Sequence, residues 1–394
     1  MRYTVSLAVA VVACSTAPAD LSTTGALEAS TSAHASLSPT EVLIDLGADE
    51  SGSSGLTSGS SGLTSTSSDP CILAPAGCEP CMPGQYRCRG DVLQACTGSG
   101  WSEVQTCDAL MGLSCDPGGF CFGACGDLGA SNVGCDYYPI TTAQDPSAFV
   151  DNSFAVAVVN AGDTTATVTV TYDGDVIASE SVLPSNVAVI TLPRISAPTH
   201  AYDTVLVEGG AYRLRSTVPV TVYQYNTLKK SSSNDASVLL PVNTWTGRYV
   251  VASWHHWDAF NSPGMIAVTA SKDETAVTLV PREGGTPTDP GDGVAEDGHA
   301  VTILNAGDVL QVFTKHVGDF TGMQVMADKP VQVLGGHQCT AVPSDSFACD
   351  HLEEVMLPFE ALGREYVVVP PVQWPEITKP KATFVRIIAA EDGA

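Results

Sequence analysis

DFTGMQVMADKPVQVLGGHQC (Asp319 to Cys339) and, after a short insert, CDHLEEVMLPFEALGREYVVV (Cys349 to Val369) both have a counterpart earlier in the chain. GGAYRLRSTVPVTVYQYN (Gly209 to Asn226) precedes NDASVLLPVNTWTGRYVV (Asn234 to Val251) in the same order. Pro330 repeats Pro219 at an offset of 111, and Tyr366 repeats Tyr249 at an offset of 117, so the insert lengthens the second copy. The match extends outward. FAVAVVNAGDTTATVTVTY (Phe154 to Tyr172) returns as MIAVTASKDETAVTLVP (Met265 to Pro281), and a third version starts as FVRIIAAEDGA (Phe384 to Ala394). The chain reads as a tandem repeat, and its stop on a hairpin turn reads as that of a fragment or truncated product.

Within the repeats, Ala166 to Tyr172, Ala276 to Val280 and Gly322 to Val325 alternate with period two and are rich in Val and Thr. Turn formers stand between such runs, as in Asn160-Ala-Gly-Asp163 and Asp328-Lys-Pro330, and no segment sustains a helical period. This pattern predicts an all-β fold with roughly eight short strands per repeat. Two architectures fit: tandem antiparallel β-sandwich-like repeats, the preferred reading, or four-stranded propeller blades.

Upstream the composition changes twice. Residues 15–69 contain no Lys or Arg, and the heptad SGSSGLT occurs twice in succession. Such a segment buries too little apolar surface to offset its ordering entropy, so a disordered linker is expected. Residues 70–135 hold ten cysteines: Cys71, Cys78, Cys81, Cys88, Cys96, Cys107, Cys115, Cys121, Cys125 and Cys135. With few long apolar runs, this module needs disulfides in place of a large core, although spacing does not give their connectivity. Cys78 and Cys81 have the separation of a zinc knuckle, but no second pair stands at finger spacing.

Met1 and Arg2 precede a short apolar run, Val5 to Ala13, that ends in Val11-Val12-Ala13-Cys14. The run is too short to span a bilayer and has the character of an export leader. Its end resembles a bacterial lipobox, with Cys14 as the residue to be lipidated. An ordinary leader that happens to contain a cysteine is the alternative. Removing Cys14 from the thirteen cysteines leaves an even number. The expected organisation is therefore a lipoprotein signal peptide (1–14), linker (15–69), cysteine-rich module (70–135), first β repeat (136–253), second β repeat (254–370) and the start of a third (371–394). The 43 acidic residues against 17 Lys and Arg give a formal charge of -26, which opposes nucleic acid as a partner and leaves lipid as the membrane attachment. An exported location follows, on a bacterial outer membrane or cell surface.

The second copy, with its run from Cys339 to Cys349, Cys349-Asp-His-Leu-Glu-Glu-Val-Met-Leu-Pro358 and Gly363-Arg-Glu-Tyr-Val-Val-Val369, resembles the N-terminal domain of the IgGFc-binding protein family. ADKPVQVLGGHQC and LLPVNTWTGRYVV are similar to that family's repeated units, so the resemblance covers about 137–394. It implies an extracellular binding or adhesion role towards proteins or glycans, without catalytic chemistry or cofactor. It does not imply that immunoglobulin is bound. The pairing of Cys339 with Cys349 is carried over from the family.

Three local clusters offer chemistry. His337, Cys339, Cys349, Asp350 and His351 hold potential zinc ligands, but oxidised cysteines no longer ligate. Trp254-His255-His256-Trp257 would form an aromatic platform for a sugar ring or peptide if exposed, and a covered connection if not. Asp289, Asp292, Glu296 and Asp297 lie in an acidic loop that could chelate calcium, yet the spacing is not that of a known calcium loop. No nucleophile elbow, zinc-protease helix or phosphate loop is present. A non-enzymatic surface binder is the expectation. A secreted polysaccharide-acting hydrolase with two facing carboxylates, or a structural spacer, are the alternatives.

Overall fold

The computed structural model describes residues 81–98, 100–144, 154–195, 203–228, 233–342, 349–368 and 384–390, together with the backbone of 7–12. The linker 15–69, Cys14, Cys71 and Cys78 lie outside the described residues. The described residues are all-β. Their only helical pieces are the three-residue 3-10 turns Ala109–Met111, Val242–Thr244 and Phe359–Ala361.

β1 (Leu7–Val12) is followed by the cysteine-rich module, in which β2 (Tyr86–Arg89), β3 (Val92–Cys96) and β4 (Trp101–Thr106) make one small sheet and β5 (Ser114–Asp116) with β6 (Phe120–Phe122) another. Four disulfides staple it: Cys81 to Cys96, Cys88 to Cys115, Cys107 to Cys121 and Cys125 to Cys135. Cys81 is thus bonded to Cys96, which removes the knuckle reading, and Cys135 pairs within the module. Cys135 also lies in β7 (Gly134–Tyr137), the opening strand of the first repeat. Asp108 reaches the same repeat through Arg215 at 3.0 Å, so the module is seated on it covalently and ionically.

The first repeat continues with β8 (Phe154–Asn160), β9 (Ala166–Tyr172), β10 (Asp175–Val182), β11 (Asn186–Leu192), β12 (Val205–Val207), β13 (Arg213–Asn226) and β14 (Asp235–Val238). The second has β15 (Thr246–Val250), β16 (Gly264–Ala270), β17 (Thr275–Val280), β18 (Ala300–Leu304), β19 (Val309–Phe313), β20 (Gln324–Thr340) and β21 (Asp350–Val355). β22 (Phe384–Ala389) pairs antiparallel with β1. The strand order β10-β9-β13-β8-β11 is reproduced as β18-β17-β20-β16-β19, with β7 and β14 on β13 answered by β15 and β21 on β20. The repeat seen in the sequence is a repeat of topology.

One long strand organises each copy. The first part of β13 pairs with β9 and β7, and its second part with β8 and β14. β20 divides between β17 and β15 on one side of Pro330 and β16 and β21 on the other. Register shifts accompany the passage, between Arg215 and Val220 and in the β15 pairing. Proline donates no ladder hydrogen bond and is tolerated at such a break, which explains why Pro219 and Pro330 hold matching places. Inward Val, Leu and Phe of the two layers then meet in a sandwich-like core, one per repeat.

Two findings shift the frame of the repeat. β15 falls before residue 254 yet is hydrogen-bonded in the second sheet, as β7 is in the first. β12 also comes from the first repeat and adds to β19 of the second, pairing Val205 with Gln311 and Val207 with Val309. The core is shared as well. Met265, Phe313, Leu334 and Val355 of the second repeat pack into the same cluster as Phe154, Val222 and Tyr212 of the first.

Residues 138–144 run as an extended strip, and their backbone is satisfied by glutamine side chains from both repeats. Gln224 accepts from Ile140 N, and Gln311 accepts from Ala143 N while donating to Thr141 O. Gln332 donates to Tyr138 O and Gln338 to Gln144 O. Buried peptide groups must find partners somewhere, and here they find amides placed on neighbouring strands.

Candidate binding surface

The histidine and cysteine cluster is a joint. Cys339 and Cys349 are bonded, with Cα atoms 5.2 Å apart. His337 is fully buried, its Nδ1 accepting from Cys339 N at 3.1 Å, and burial holds its pKa well below the ordinary histidine value. The ring nitrogens of buried His351 face Gln338 O at 3.2 Å on one side and Thr142 Oγ1 and Glu353 Oε2, at 3.1 and 3.3 Å, on the other. Asp350 accepts from Ser233 N. Among the described residues no group of three or more His, Cys, Asp or Glu is placed to hold a metal ion.

Glu353, which the sequence did not single out, is the centre of this joint. It is buried on β21 and accepts from Gln224 Nε2 at 3.2 Å, Asn226 Nδ2 at 2.6 Å and Thr142 Oγ1 at 3.0 Å, all from the first repeat. Asn226 Oδ1 in turn accepts from Arg194 Nη1 at 3.0 Å, so the cation reaches Glu353 through an amide. Burial lowers the Arg194 pKa to about 10, with the Glu353 charge acting against that, and the guanidinium stays protonated at neutral pH. Beside them Asp235 of β14 accepts from Glu353 N, and Glu354 accepts from Ser237 Oγ. Burial, reinforced by neighbouring carboxylates, raises Asp235 to about 6 and Glu354 to about 7.

The acidic loop straps β12 to the second sheet. Asp289 accepts from Thr204 N at 2.8 Å and pairs with Lys315 at 2.7 Å, while Asp292 accepts from Leu206 N at 2.6 Å. Asp297 pairs with His299 at 3.1 Å, and Glu296 is exposed.

The Trp254 to Trp257 segment divides. Trp254 is buried, with the Arg386 guanidinium 4.0 Å from its ring centroid, and Arg386 also donates to Ser253 O. His255 lies against Trp254, and buried His256 has Nδ1 3.1 Å from Thr314 O. Arg386 of β22 thus covers Trp254, while His256 is tied to Thr314 and Gly318. Trp257 is half-buried, its ring centroid 4.3 Å from that of Phe260, which is 62 % exposed. The next residue, Asp258, ties this turn to a second loop through His316 Nδ1 at 2.7 Å and Val317 N at 3.3 Å. Val317 is 62 % exposed and held at φ 56°. A β-branched residue in that region costs about 1–3 kcal/mol and persists only where its surroundings impose it. Phe260, His316 and Val317 carried no sequence signal, because the two loops lie nearly sixty residues apart and carry no shared pattern.

The geometry defines an all-β tandem-repeat protein whose buried polar chemistry joins its own parts and which carries a partly exposed aromatic pair on a loop tip. Residues 235–394 match the model of the IgGFc binding protein family, so this part of the chain is similar to that family. The match starts at β14 and includes the second repeat. No curated protein and no solved structure matches the chain.

Proposed function

We propose that this chain is an exported, lipid-anchored surface protein that binds an extracellular protein or glycan without transforming it. Acylated Cys14 would hold it at a bacterial outer membrane once the leader that carries β1 is removed, residues 15–69 would act as a tether, and the stapled module with its repeats would present the binding face. The family match over 235–394 is the observation that carries this reading. The commitment of His351, Glu353 and Asp350 to structural hydrogen bonds supports a binder over a hydrolase.

Retention on a glycoprotein and glycan array tests the binding half. Saturable binding with no cleaved product or new reducing ends is expected. Turnover that survives purification would point to the hydrolase instead. Metabolic labelling with a fatty acid tests the anchor, where label is expected on the native chain and absent from Cys14→Ser.

A further inference from the structure

We propose that the tip built from Trp257, Asp258, Phe260, His316 and Val317 is the contact point for a neutral pyranose ring of a glycan, an inference that rests on the binding reading above. The tip is built from two separate loops locked as one unit: Asp258 holds His316 and Val317, and His256 N donates to Gly318 O at 2.8 Å. At its outer end the Phe260 ring is offered to solvent while Trp257 supports it from behind. A strained, exposed Val317 stands where Gly or Asn would sit without strain, which marks the position as held for something other than stability.

The chemistry narrows the partner. An aromatic face packs against the C–H face of a sugar ring, and the partly exposed Asp258 carboxylate and the exposed His316 imidazole beside it can bond to ring hydroxyls. The turn is closed by the bridge between Trp257 and Ser262, so Phe260 stands on a short, backbone-bonded loop. A formal charge of -26 on the chain disfavours sulfated or sialylated chains and anionic lipid relative to neutral sugars.

The test presents the full chain to an array of neutral oligosaccharides ending in hexose or N-acetylhexosamine, beside the same glycoproteins before and after enzymatic deglycosylation. Retention on neutral glycans is expected to fall at least tenfold in Phe260→Ala and to be restored in Phe260→Tyr. Val301→Ala, which trims a side chain 71 % exposed on β18, is expected to change nothing. Unaltered thermal melting of Phe260→Ala would assign its loss to the contact. Neutral-glycan binding indifferent to Phe260, or binding confined to deglycosylated protein, would overturn the sugar contact and leave the broader reading standing. Absence of retention on every glycan and protein would overturn both.

Discussion

Tyr249 donates its hydroxyl to the carbonyl of Val331 at 2.6 Å, and Tyr137 donates to Val220 at 2.5 Å in the first repeat. Each acceptor immediately follows the proline at which the long strand passes from one layer to the other. The hydroxyl of Tyr249 also accepts from Thr246 N, three residues back, and Tyr366 accepts from Gly363 N in the same posture. Burial pushes Tyr249 up to about 12, so it stays a neutral donor at any physiological pH. The clasp fixes the bend that gives each repeat its two layers.

Removing that hydroxyl isolates its contribution. Tyr249→Phe keeps the buried ring but leaves the Val331 carbonyl and Thr246 N–H without their partner, which should cost about 1–3 kcal/mol. Tyr137→Phe should cost a similar amount. Tyr366→Phe should cost less, because its hydroxyl serves a local turn on a less buried ring. Urea unfolding of the three variants checks the order, and equal losses in all three would remove the clasp as the reason for the repeat.

How much of this was legible follows from the same residues. The offset of Pro219 and Pro330 and the alternation in β9 and β17 gave the β class and the duplication, because both are local patterns. The repeat frame was not legible. β7 and β15 open their repeats, but a strand four or five residues long names no partner until its sheet is assembled. β12 crossing to β19 is likewise a long-range event. Gln224, Gln311, Gln332 and Gln338 read as ordinary polar positions along strands, although all are buried and serve the strip between the repeats. Of the candidate site, only Trp257 was legible among the residues now placed at the exposed tip.

The carboxylates at the joint predict a pH dependence with a definite sign. Asp235 at about 6 and Glu354 at about 7 lie above their ordinary values, so the folded chain holds protons that the unfolded chain releases. Their stabilising contribution is complete below about pH 4 and is lost as pH rises through 6 to 7, by at most about 3 kcal/mol each at 1.36 kcal/mol per unit. Growing negative charge acts in the same direction, so the informative quantity is a difference. Glu354→Gln keeps an acceptor for Ser237 and should flatten the fall in melting temperature between pH 5 and 8. An unchanged slope would mean that Glu354 ionises freely in the folded state.

The bond between Cys339 and Cys349 closes a short loop with its first end on β20 and its second beside β21. For a sequence separation of 10, loop-closure entropy gives about 2–3 kcal/mol. The double variant Cys339→Ser, Cys349→Ser should lose that much. It should also loosen Ser233, whose hydroxyl lies 3.4 Å from Cys339 Sγ, and His351 two residues beyond Cys349. Hydrogen exchange at β21 reads the second effect. Protection unchanged there would confine the disulfide's role to its own loop.

Asp289 separates a strap from a calcium loop. Its carboxylate takes Thr204 N and the Lys315 ammonium together, at the point where β12 enters the second sheet. Asp289→Ala should therefore free the β12 edge, raising amide exchange at Val205 to Val207 and costing about 1–3 kcal/mol for the unpaired N–H. Calcium added to the native chain should leave the melting temperature in place, since a ligand that binds only the folded state raises it in proportion to the logarithm of its concentration. A rise of several degrees at millimolar calcium, abolished in Asp289→Ala, would show these carboxylates exchanging the strap for a cation.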